Sequence, residues 1–167
     1  MTNFSLESLR RLNIKGTYTL VIFLPREKRV TVGRLGRHLF PSGYYAYTGS
    51  AQGQGALNLG GRVERHLKKG KKKRWHIDYL LSAREVKAVS VIAAKTGKNM
   101  ECEVNGYLKE KLRADVPVPK FGASDCKSKC GSHLLYLGLD VSAVRRIPEV
   151  YEEMFQRFGE IYLMIRE

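Results

Sequence analysis

The sequence contains few cysteines and no long apolar run, and both absences restrict the class of protein. Three cysteines in 167 residues are an odd number and too few for a disulfide scaffold, so we expect reduced thiols. No stretch approaches the roughly 20 apolar residues of a membrane-spanning helix. Polar and charged residues interrupt residues 1–16, where a signal peptide would carry an apolar centre. We therefore expect a cytoplasmic protein.

Acidic residues are scarce relative to basic ones. The chain has 30 Lys and Arg residues against 16 Asp and Glu residues, which gives a formal net charge of +14 and a pI of about 9.9. Such a field attracts polyanions, and nucleic acid is the first candidate partner. On charge alone, an anionic membrane surface or an acidic protein is the second candidate.

Short segments rich in β-branched and aromatic residues predict strands in the first third of the chain. Residues 16–24 (GTYTLVIFL) form the first, residues 29–35 return after a turn, and residues 44–48 follow a second turn. Three strands joined by short turns predict an antiparallel meander. Further strands are predicted at residues 86–94, 133–137 and, as an edge strand, 161–165.

Apolar positions at helical spacing predict helices around these strands. Leu59, Val63 and Leu67 recur every four residues, which predicts one buried stripe on a helix over residues 57–69. Asn99 is expected to cap a helix that runs to Leu112. The other predicted helices are a short one over residues 4–14, with Phe4 and Leu12 among its apolar residues, and one that begins at Pro148, carries Phe158 and ends at Gly159. One α+β domain over residues 1–167 is the simplest organisation.

A dense run of basic residues begins within the predicted helix over residues 57–69 and continues beyond its end. Against the single acidic Glu64, residues 62–74 carry these basic side chains: Arg62, Arg65, Lys68, Lys69, Lys71, Lys72, Lys73 and Arg74. Lys and Arg side chains release counterions when they contact a phosphate backbone, so the segment can clamp nucleic acid. A solvated loop that only keeps the protein soluble is the alternative. We favour the clamp, because other candidate site residues lie beside it.

Arg62 and His66 lie four residues apart and therefore share one face of the predicted helix. Arg62 is next to the stripe position Val63, which can hold its side chain near the body of the protein. A fixed guanidinium binds a phosphate through two parallel hydrogen bonds. A surface arginine whose alkyl chain covers apolar residues is the alternative.

Glu101 falls on the apolar side of its predicted helix. At about 100° per residue it lies within the arc of Met100, Val104 and Leu108, whereas Glu103 lies outside. An inward carboxylate needs a cation, a hydrogen-bond donor or a metal ion as its partner. A divalent metal ion that faces a phosphate would satisfy it, and so would a structural ion pair with an arginine.

Two cysteines and a histidine lie close together near the end of the long loop. Cys126, Cys130 and His133 supply three zinc ligands, and Cys102 is the one remaining thiol for a fourth. A structural turn with buried thiols is the alternative, since free cysteine often serves as a small buried hydrophobe.

These residues resemble a known family. Gly16-Thr17-Tyr18 and Tyr47-Thr48-Gly49 are similar to the two halves of the GIY-YIG nuclease signature. Arg62 and His66 resemble the Arg and His on that family's first long helix, and Glu101 resembles its metal-binding glutamate. Two departures are that the interval between the two tyrosines is longer than in the family, and that Thr48 stands where Ile or Val is usual.

Longer segments resemble one subfamily, DUF123, which occurs alone or beside DNA-repair domains. The segments are GYYAYTGSA, RVERHLKKGKKKRWHIDYLL, ECEV and FGASDC with the later SHL. The resemblance implies a small GIY-YIG-like core over residues 16–137, built on a central antiparallel three-stranded sheet with flanking helices and an extended hairpin. Residues 1–15 would add an N-terminal helix, and residues 138–167 a C-terminal helix and an edge strand.

The resemblance also implies an activity, the metal-dependent hydrolysis of phosphodiester bonds in nucleic acid. Tyr18 or Tyr47 would activate water, Arg62 would bind the scissile phosphate, and His66 would orient one of these groups. Glu101 would hold one Mg²⁺ or Mn²⁺ ion. Flanking backbone would be held by Arg65, Lys68, Lys69, Lys71, Lys72, Lys73 and Arg74, with His76 and Asp78 supporting the site from behind.

Partners follow from the same resemblance. We expect DNA rather than RNA, no membrane, and a DNA-repair protein as a possible partner. One alternative is a non-catalytic nucleic-acid-binding module that keeps the nuclease fold. Another is a zinc-stabilised adaptor that docks a repair protein. Tyr18, Tyr47, Arg62 and Glu101 together favour the enzyme, because a pure binder needs basic residues but no inward carboxylate.

Overall fold

A six-stranded mixed sheet forms the centre of the computed structural model, which describes residues 2–3, 5–11, 13–156 and 160–165. The strands, in chain order, are β1 (Thr2–Asn3), β2 (Gly16–Leu24), β3 (Lys28–Thr31), β4 (Arg37–Phe40), β5 (Gly43–Ala51), β6 (Lys87–Lys95), β7 (Leu134–Gly138) and β8 (Ile161–Ile165). The sheet order is β1-β8-β6-β2-β5-β7, while β3 and β4 form a separate two-stranded sheet. β1 and β8 pair in parallel, and the other neighbours are antiparallel.

The α+β class is confirmed, but the predicted three-stranded sheet is wrong, because the sheet has six strands. The predicted second strand, residues 29–35, does not join it, since β3 ends at Thr31 and pairs with β4. β2 is buried on both faces, so its backbone polar groups need partners along both edges. β5 pairs with the whole length of β2 along one edge, and β6 pairs with β2 along the other edge.

Helices cover both faces of the sheet. They are α1 (Leu6–Arg11), α2 (Leu59–Leu67), α3 (His76–Leu81), α4 (Glu101–Leu112) and α5 (Val141–Phe155). Within the described ranges, no helix combines the length and apolar character needed to cross a bilayer. Near the start of α4, the Asn99 side chain accepts a hydrogen bond from the Glu101 backbone N–H at 2.8 Å. Phe4 and Leu12 of the predicted first helix lie outside the described residues.

The prediction that Pro148 begins a helix is wrong. α5 begins at Val141, because the Asp140 side chain accepts a hydrogen bond from the Ser142 backbone N–H at 2.8 Å. Pro148 therefore lies inside α5, where it removes one backbone hydrogen bond. The predicted positions Phe158 and Gly159 lie outside the described residues.

The sheet separates two cores, because alternate residues of a strand point to opposite faces. Tyr18, Leu20 and Ile22 of β2 pack with α2 and α3 on one face. Val21 packs with α4 and α5 on the other. Tyr45 and Tyr47 of β5 belong to the first core. The two tyrosines that resemble the nuclease signature therefore face α2.

Candidate active site

Tyr18 and Tyr47 are neighbours on the face that α2 covers. In the β2–β5 register Tyr18 is opposite Gly49 and Leu20 is opposite Tyr47, so the two phenols are diagonal neighbours. Tyr18 is 2% exposed and Tyr47 is 7% exposed. The two sequence-predicted phenols thus come together in a largely buried position.

Gly49 provides the space that the Tyr18 phenol occupies. A Cβ atom at position 49 would lie 2.4 Å from Tyr18 Oη and 2.6 Å from Tyr18 Cζ. The phenol ring is fixed in the core, so any larger residue at position 49 would displace its hydroxyl. The glycine after Tyr47-Thr48 is therefore required by the position of Tyr18.

His66 on α2 contacts both phenols. Tyr18 Oη lies 2.7 Å from His66 Nε2, and the Tyr47 ring meets the imidazole edge-on at 6.1 Å between ring centroids. Leu59 and Val63 are buried on the side of α2 that faces the sheet, and His66 is buried on the same helix. Burial, together with the positive charges of Lys71 and Arg65, lowers the pKa of His66 although nearby Asp78 raises it, so the ring is neutral near pH 7.

Asp78 on α3 is a buried carboxylate surrounded by hydrogen-bond donors. It accepts hydrogen bonds from Arg65 Nη1 and Nη2 at 3.1 and 3.0 Å, and from the backbone N–H groups of Arg74 and Trp75 at 2.9 and 3.0 Å. Burial alone would raise the pKa of Asp78, but His66 and these donors hold it well below its usual range. Asp78 is therefore ionised at neutral pH.

The Asp78 carboxylate selects the tautomer of His66. Asp78 Oδ1 lies 3.7 Å from His66 Nδ1, which is beyond hydrogen-bond distance, so the carboxylate acts through its charge. That charge favours the tautomer with the proton on Nδ1. His66 Nε2 then accepts the hydrogen bond of the Tyr18 hydroxyl.

Arg62 and Glu101 influence both phenols electrostatically. Burial is the main reason that the pKa of Tyr18 and of Tyr47 lies well above 10. The negative charge of Glu101 raises the pKa of both tyrosines further, while the positive charge of Arg62 lowers both. Arg62 and Glu101 therefore act on the same two phenols that His66 contacts.

Trp75, which the sequence pattern did not single out, holds two arginines. The guanidinium carbon of Arg62 lies 4.5 Å and that of Arg65 lies 4.0 Å from the centroid of the Trp75 ring. Arg62 Nε is buried and has no hydrogen-bond partner among the described residues. A single tryptophan beside a basic run was the available signal, since arginine stacks on aromatic faces.

Glu101 lines a cleft of about 360 Å³. Its side chain is 23% exposed, and its Oε2 atom accepts a hydrogen bond from Asn99 Nδ2 at 3.0 Å. Glu103 and Asp125 line the same cleft. Mg²⁺ and Mn²⁺ prefer carboxylate oxygens and are often held by one or two carboxylates with water as the other ligands. Among the described residues these three carboxylates do not converge on one point.

The basic residues from Arg65 onward divide into exposed and internal groups. The exposed group consists of Lys68, Lys69, Lys72, Lys73 and Arg74. Lys71 instead donates hydrogen bonds from Nζ to the backbone carbonyl oxygens of His66 and Lys68, at 2.6 and 3.1 Å, and so caps α2. Arg65 is held by Asp78. The exposed group, which we call the basic segment, is free to meet a polyanion.

His76 lies outside the tyrosine–histidine cluster and holds the loop beside it. The backbone N–H of Gly122 donates a hydrogen bond to His76 Nδ1 at 2.9 Å. Gly122 has φ +71, and a Cβ there would lie 3.0 Å from Tyr47 Cε2 and 3.1 Å from His133 Cβ. His76 therefore fixes a close contact between this loop and Tyr47.

We expect Asp78→Asn to lower stability and to flatten its dependence on acid pH. Breaking a buried ion pair costs about 3 kcal/mol, or roughly 6–12 °C in Tm for a chain of this size. The pKa of Asp78 is lowered by folding, so its contribution is complete above about pH 4 and is lost as the pH falls further. Tm measured from pH 3 to pH 7 tests this. The exposed Asp115→Asn is the control, and equal acid slopes in Asp78→Asn and wild type would contradict the assignment.

The fold and the site define an α+β domain in which a buried tyrosine–histidine pair lies near a cleft lined by carboxylates. A family model described as "Domain of unknown function DUF123" matches residues 17–156. The chain therefore belongs to the DUF123 family, which confirms that part of the resemblance. No curated protein and no solved structure gives a significant match.

Proposed function

We propose that this protein is a metal-dependent endonuclease that hydrolyses phosphodiester bonds in nucleic acid, with DNA in a repair or processing context as its substrate. The observation that carries the proposal is the buried Tyr18–His66 hydrogen bond at 2.7 Å, with Arg62 and Glu101 acting on the same phenol. The resemblance of both tyrosine motifs to the GIY-YIG signature supports the same reaction class. A buried phenol bound to an imidazole suits proton transfer rather than surface recognition.

The proton path runs from water through Tyr18 to His66. In this proposal the Tyr18 hydroxyl gives its proton to His66 Nε2 while its oxygen takes a proton from the attacking water. Asp78 then stabilises the imidazolium that forms, because its charge faces Nδ1 at 3.7 Å. Burial raises the pKa of Tyr18 and keeps the phenol protonated at neutral pH, so it can take a proton from water only as it gives its own to His66, which Asp78 supports. Tyr47 positions the water.

Arg62 binds the scissile phosphate. Its Nε is buried without an acceptor among the described residues, and its guanidinium carbon lies 4.5 Å from the centroid of the Trp75 ring. A phosphate oxygen would supply the missing acceptor, and the fixed guanidinium would stabilise negative charge as it builds on the phosphate.

Glu101 would hold one Mg²⁺ or Mn²⁺ in the cleft, which Glu103 and Asp125 also line. When bound, such an ion stabilises the charge that develops on the leaving oxygen. The N-terminus of α4 and the hydrogen bond from Asn99 fix where the carboxylate can lie. The basic segment would hold the flanking nucleic-acid backbone, and a DNA-repair protein would be the natural partner.

Neutralising three exposed lysines of the basic segment should weaken the salt dependence of binding. Each phosphate contact contributes about 0.9 to the slope of log K against log[salt] on duplex DNA, so Lys68, Lys69 and Lys72 changed to Gln should reduce its magnitude by up to about 2.7. Fluorescence anisotropy over a salt series measures this. The charge-matched control changes the exposed Lys87, Lys109 and Arg145 to Gln. Equal slopes for the two triple variants would show that the basic segment does not contact nucleic acid.

The experiment that tests the proposed reaction is cleavage of labelled single-stranded, duplex, flap and branched DNA and RNA. We expect cutting of at least one DNA substrate with Mg²⁺ or Mn²⁺ and none with EDTA. Metal-independent cutting, or tight binding with no cutting of any substrate under either metal, would contradict the proposed reaction.

A non-catalytic nucleic-acid-binding module is the second candidate. The burial of Tyr18 and Tyr47, at 2% and 7% exposure, favours it, because the basic segment can meet a nucleic acid without any movement of the phenols. In that case Glu101→Gln and Tyr18→Phe would bind as wild type does, and no variant would differ in cutting.

A further inference from the structure

Three cysteines and a histidine from separate segments meet beside the Glu101 cleft. Cys102 lies in the first turn of α4, Cys126 and Cys130 lie in the loop before β7, and His133 directly precedes that strand. The three Sγ atoms and a ring nitrogen of His133 all lie within 4.8 Å of one another. Nothing in the proposed proton path uses these four side chains.

The four ligand atoms of this thiol–imidazole cluster converge on one point. The Sγ atom of Cys102 lies 2.8 Å from that of Cys130 and 3.1 Å from that of Cys126, and the Cys126–Cys130 distance is 3.4 Å. His133 Nε2 lies 3.1 Å from Cys130 Sγ and 3.5 Å from Cys102 Sγ. Tetrahedral zinc with bonds of about 2.3 Å places its sulfur ligands about 3.8 Å apart. The thiols would therefore separate by up to about 1 Å to admit an ion.

A disulfide accounts for this cluster less well than a metal does. The three cysteines are free thiols, and each sulfur is close to both of the others. A disulfide between any two of the cysteines would leave the third thiol and the His133 imidazole facing the disulfide sulfurs. Three thiolates and one imidazole are instead a complete ligand set for structural zinc.

We infer that Cys102, Cys126, Cys130 and His133 bind one zinc ion through three thiolates and His133 Nε2. All four positions are filled by protein, so the ion has no open position for a substrate or a water molecule and its role is structural. The second ring nitrogen, His133 Nδ1, lies 3.9 Å from Glu101 Oε2, and a carboxylate behind a histidine ligand commonly orients it.

The position of the site indicates what the zinc holds together. Cys102 anchors the N-terminus of α4, and the His133 carbonyl oxygen accepts a hydrogen bond from the Thr48 N–H of β5 at 3.0 Å. The loop between them contacts Tyr47 through Gly122. Zinc would therefore fix α4, and with it Glu101, relative to the tyrosine strand.

The test is the metal content of the full chain purified with a reducing agent and no added metal. We expect about one zinc ion per chain, which dialysis does not remove and which an organomercurial that modifies thiols releases. Replacement by Co²⁺ should give the intense visible bands and thiolate charge-transfer absorption of a tetrahedral sulfur-rich site. Mass spectrometry should show that no disulfide is present.

Variants assign the ligands. Cys130→Ser and His133→Ala should lower bound zinc at least tenfold, whereas His38→Ala, a half-buried histidine on β4, should keep it. If Cys130→Ser does not fold, mercurial release and the cobalt spectrum of the wild-type chain still decide the question. Folded wild-type protein without zinc and without the cobalt bands, or with a disulfide between two of these cysteines, would overturn the inference.

The zinc inference does not depend on the proposed nuclease activity. Zinc content and cobalt absorption are measured without substrate, so a protein that holds zinc but cuts nothing would contradict only the proposed function. A protein that cuts with Mg²⁺ but contains no zinc would contradict only the zinc site.

Discussion

Arg62→Ala is expected to lower single-turnover cleavage by about 10²–10³-fold while the affinity for nucleic acid falls far less. Removing one group that stabilises transition-state charge typically has this effect on rate. The basic segment still holds the substrate, so binding persists. The lost contact with Trp75 is worth only about 0.5–1 kcal/mol, so the variant should stay folded.

Two further variants make the Arg62 result specific. Arg62→Lys keeps the charge but not the two parallel hydrogen bonds, so its rate should fall between those of wild type and Arg62→Ala. Arg145→Ala removes an exposed arginine from α5, on the opposite face of the sheet, and should cut as wild type does. If Arg62→Ala and Arg145→Ala cut equally fast, Arg62 does not bind the scissile phosphate.

Tyr18→Phe is expected to lower the cleavage rate by about 10²–10⁴-fold, the usual contribution of general base catalysis. The substitution keeps the ring and removes the hydroxyl that binds His66 Nε2. Stability should fall by about 1–3 kcal/mol, because the buried imidazole loses its partner. Quenched single-turnover cleavage assays at saturating protein measure the change in rate. Thermal unfolding measures the change in stability separately.

Tyr45→Phe is the matched control for Tyr18→Phe. Tyr45 is also buried on the α2 side of the sheet, and its hydroxyl donates a hydrogen bond to the Pro41 carbonyl oxygen at 2.5 Å. Its removal should cost similar stability and leave the rate unchanged. Equal rates for the two variants would exclude Tyr18 as the group that activates water, and a loss confined to Tyr47→Phe would move that role to Tyr47.

The adjacency of Tyr18 and Tyr47 was implied only by the resemblance to the nuclease signature, because the predicted meander placed residues 29–35 between their strands, whereas β2 and β5 pair directly. The wider sheet could not be expected from the sequence, because β8 and β6 pair across residues far apart in the chain. Residues 29–35 follow a short turn, yet β3 folds onto β4 instead of the sheet. Turn length indicates which strands are close in the chain. The partners of β2 follow instead from its buried backbone N–H and C=O groups, which need hydrogen bonds along both edges of the strand.

Residues that act through tertiary contacts were the hardest to predict. Asp78 was expected only as support, and no local pattern indicates that Arg65 would bind it with two hydrogen bonds across 13 residues. In the sequence, Cys102 was only the one remaining thiol that could serve as a fourth zinc ligand. Its distance to Cys126 is set by how α4 packs beside the loop. Lys71 belongs to the basic run by composition, yet its amine caps α2.

The central claim is that Tyr18, Tyr47, Arg62 and Glu101 surround one phosphodiester linkage. A crystal structure of Tyr18→Phe with a short DNA duplex and Mn²⁺ tests it most directly, because the variant preserves the substrate and Mn²⁺ is located by its anomalous signal. We predict manganese bound to Glu101, a phosphate bound to the Arg62 guanidinium, and that phosphate facing position 18. A duplex held only by the basic segment, with Arg62 contacting no phosphate and no manganese at Glu101, would contradict the account.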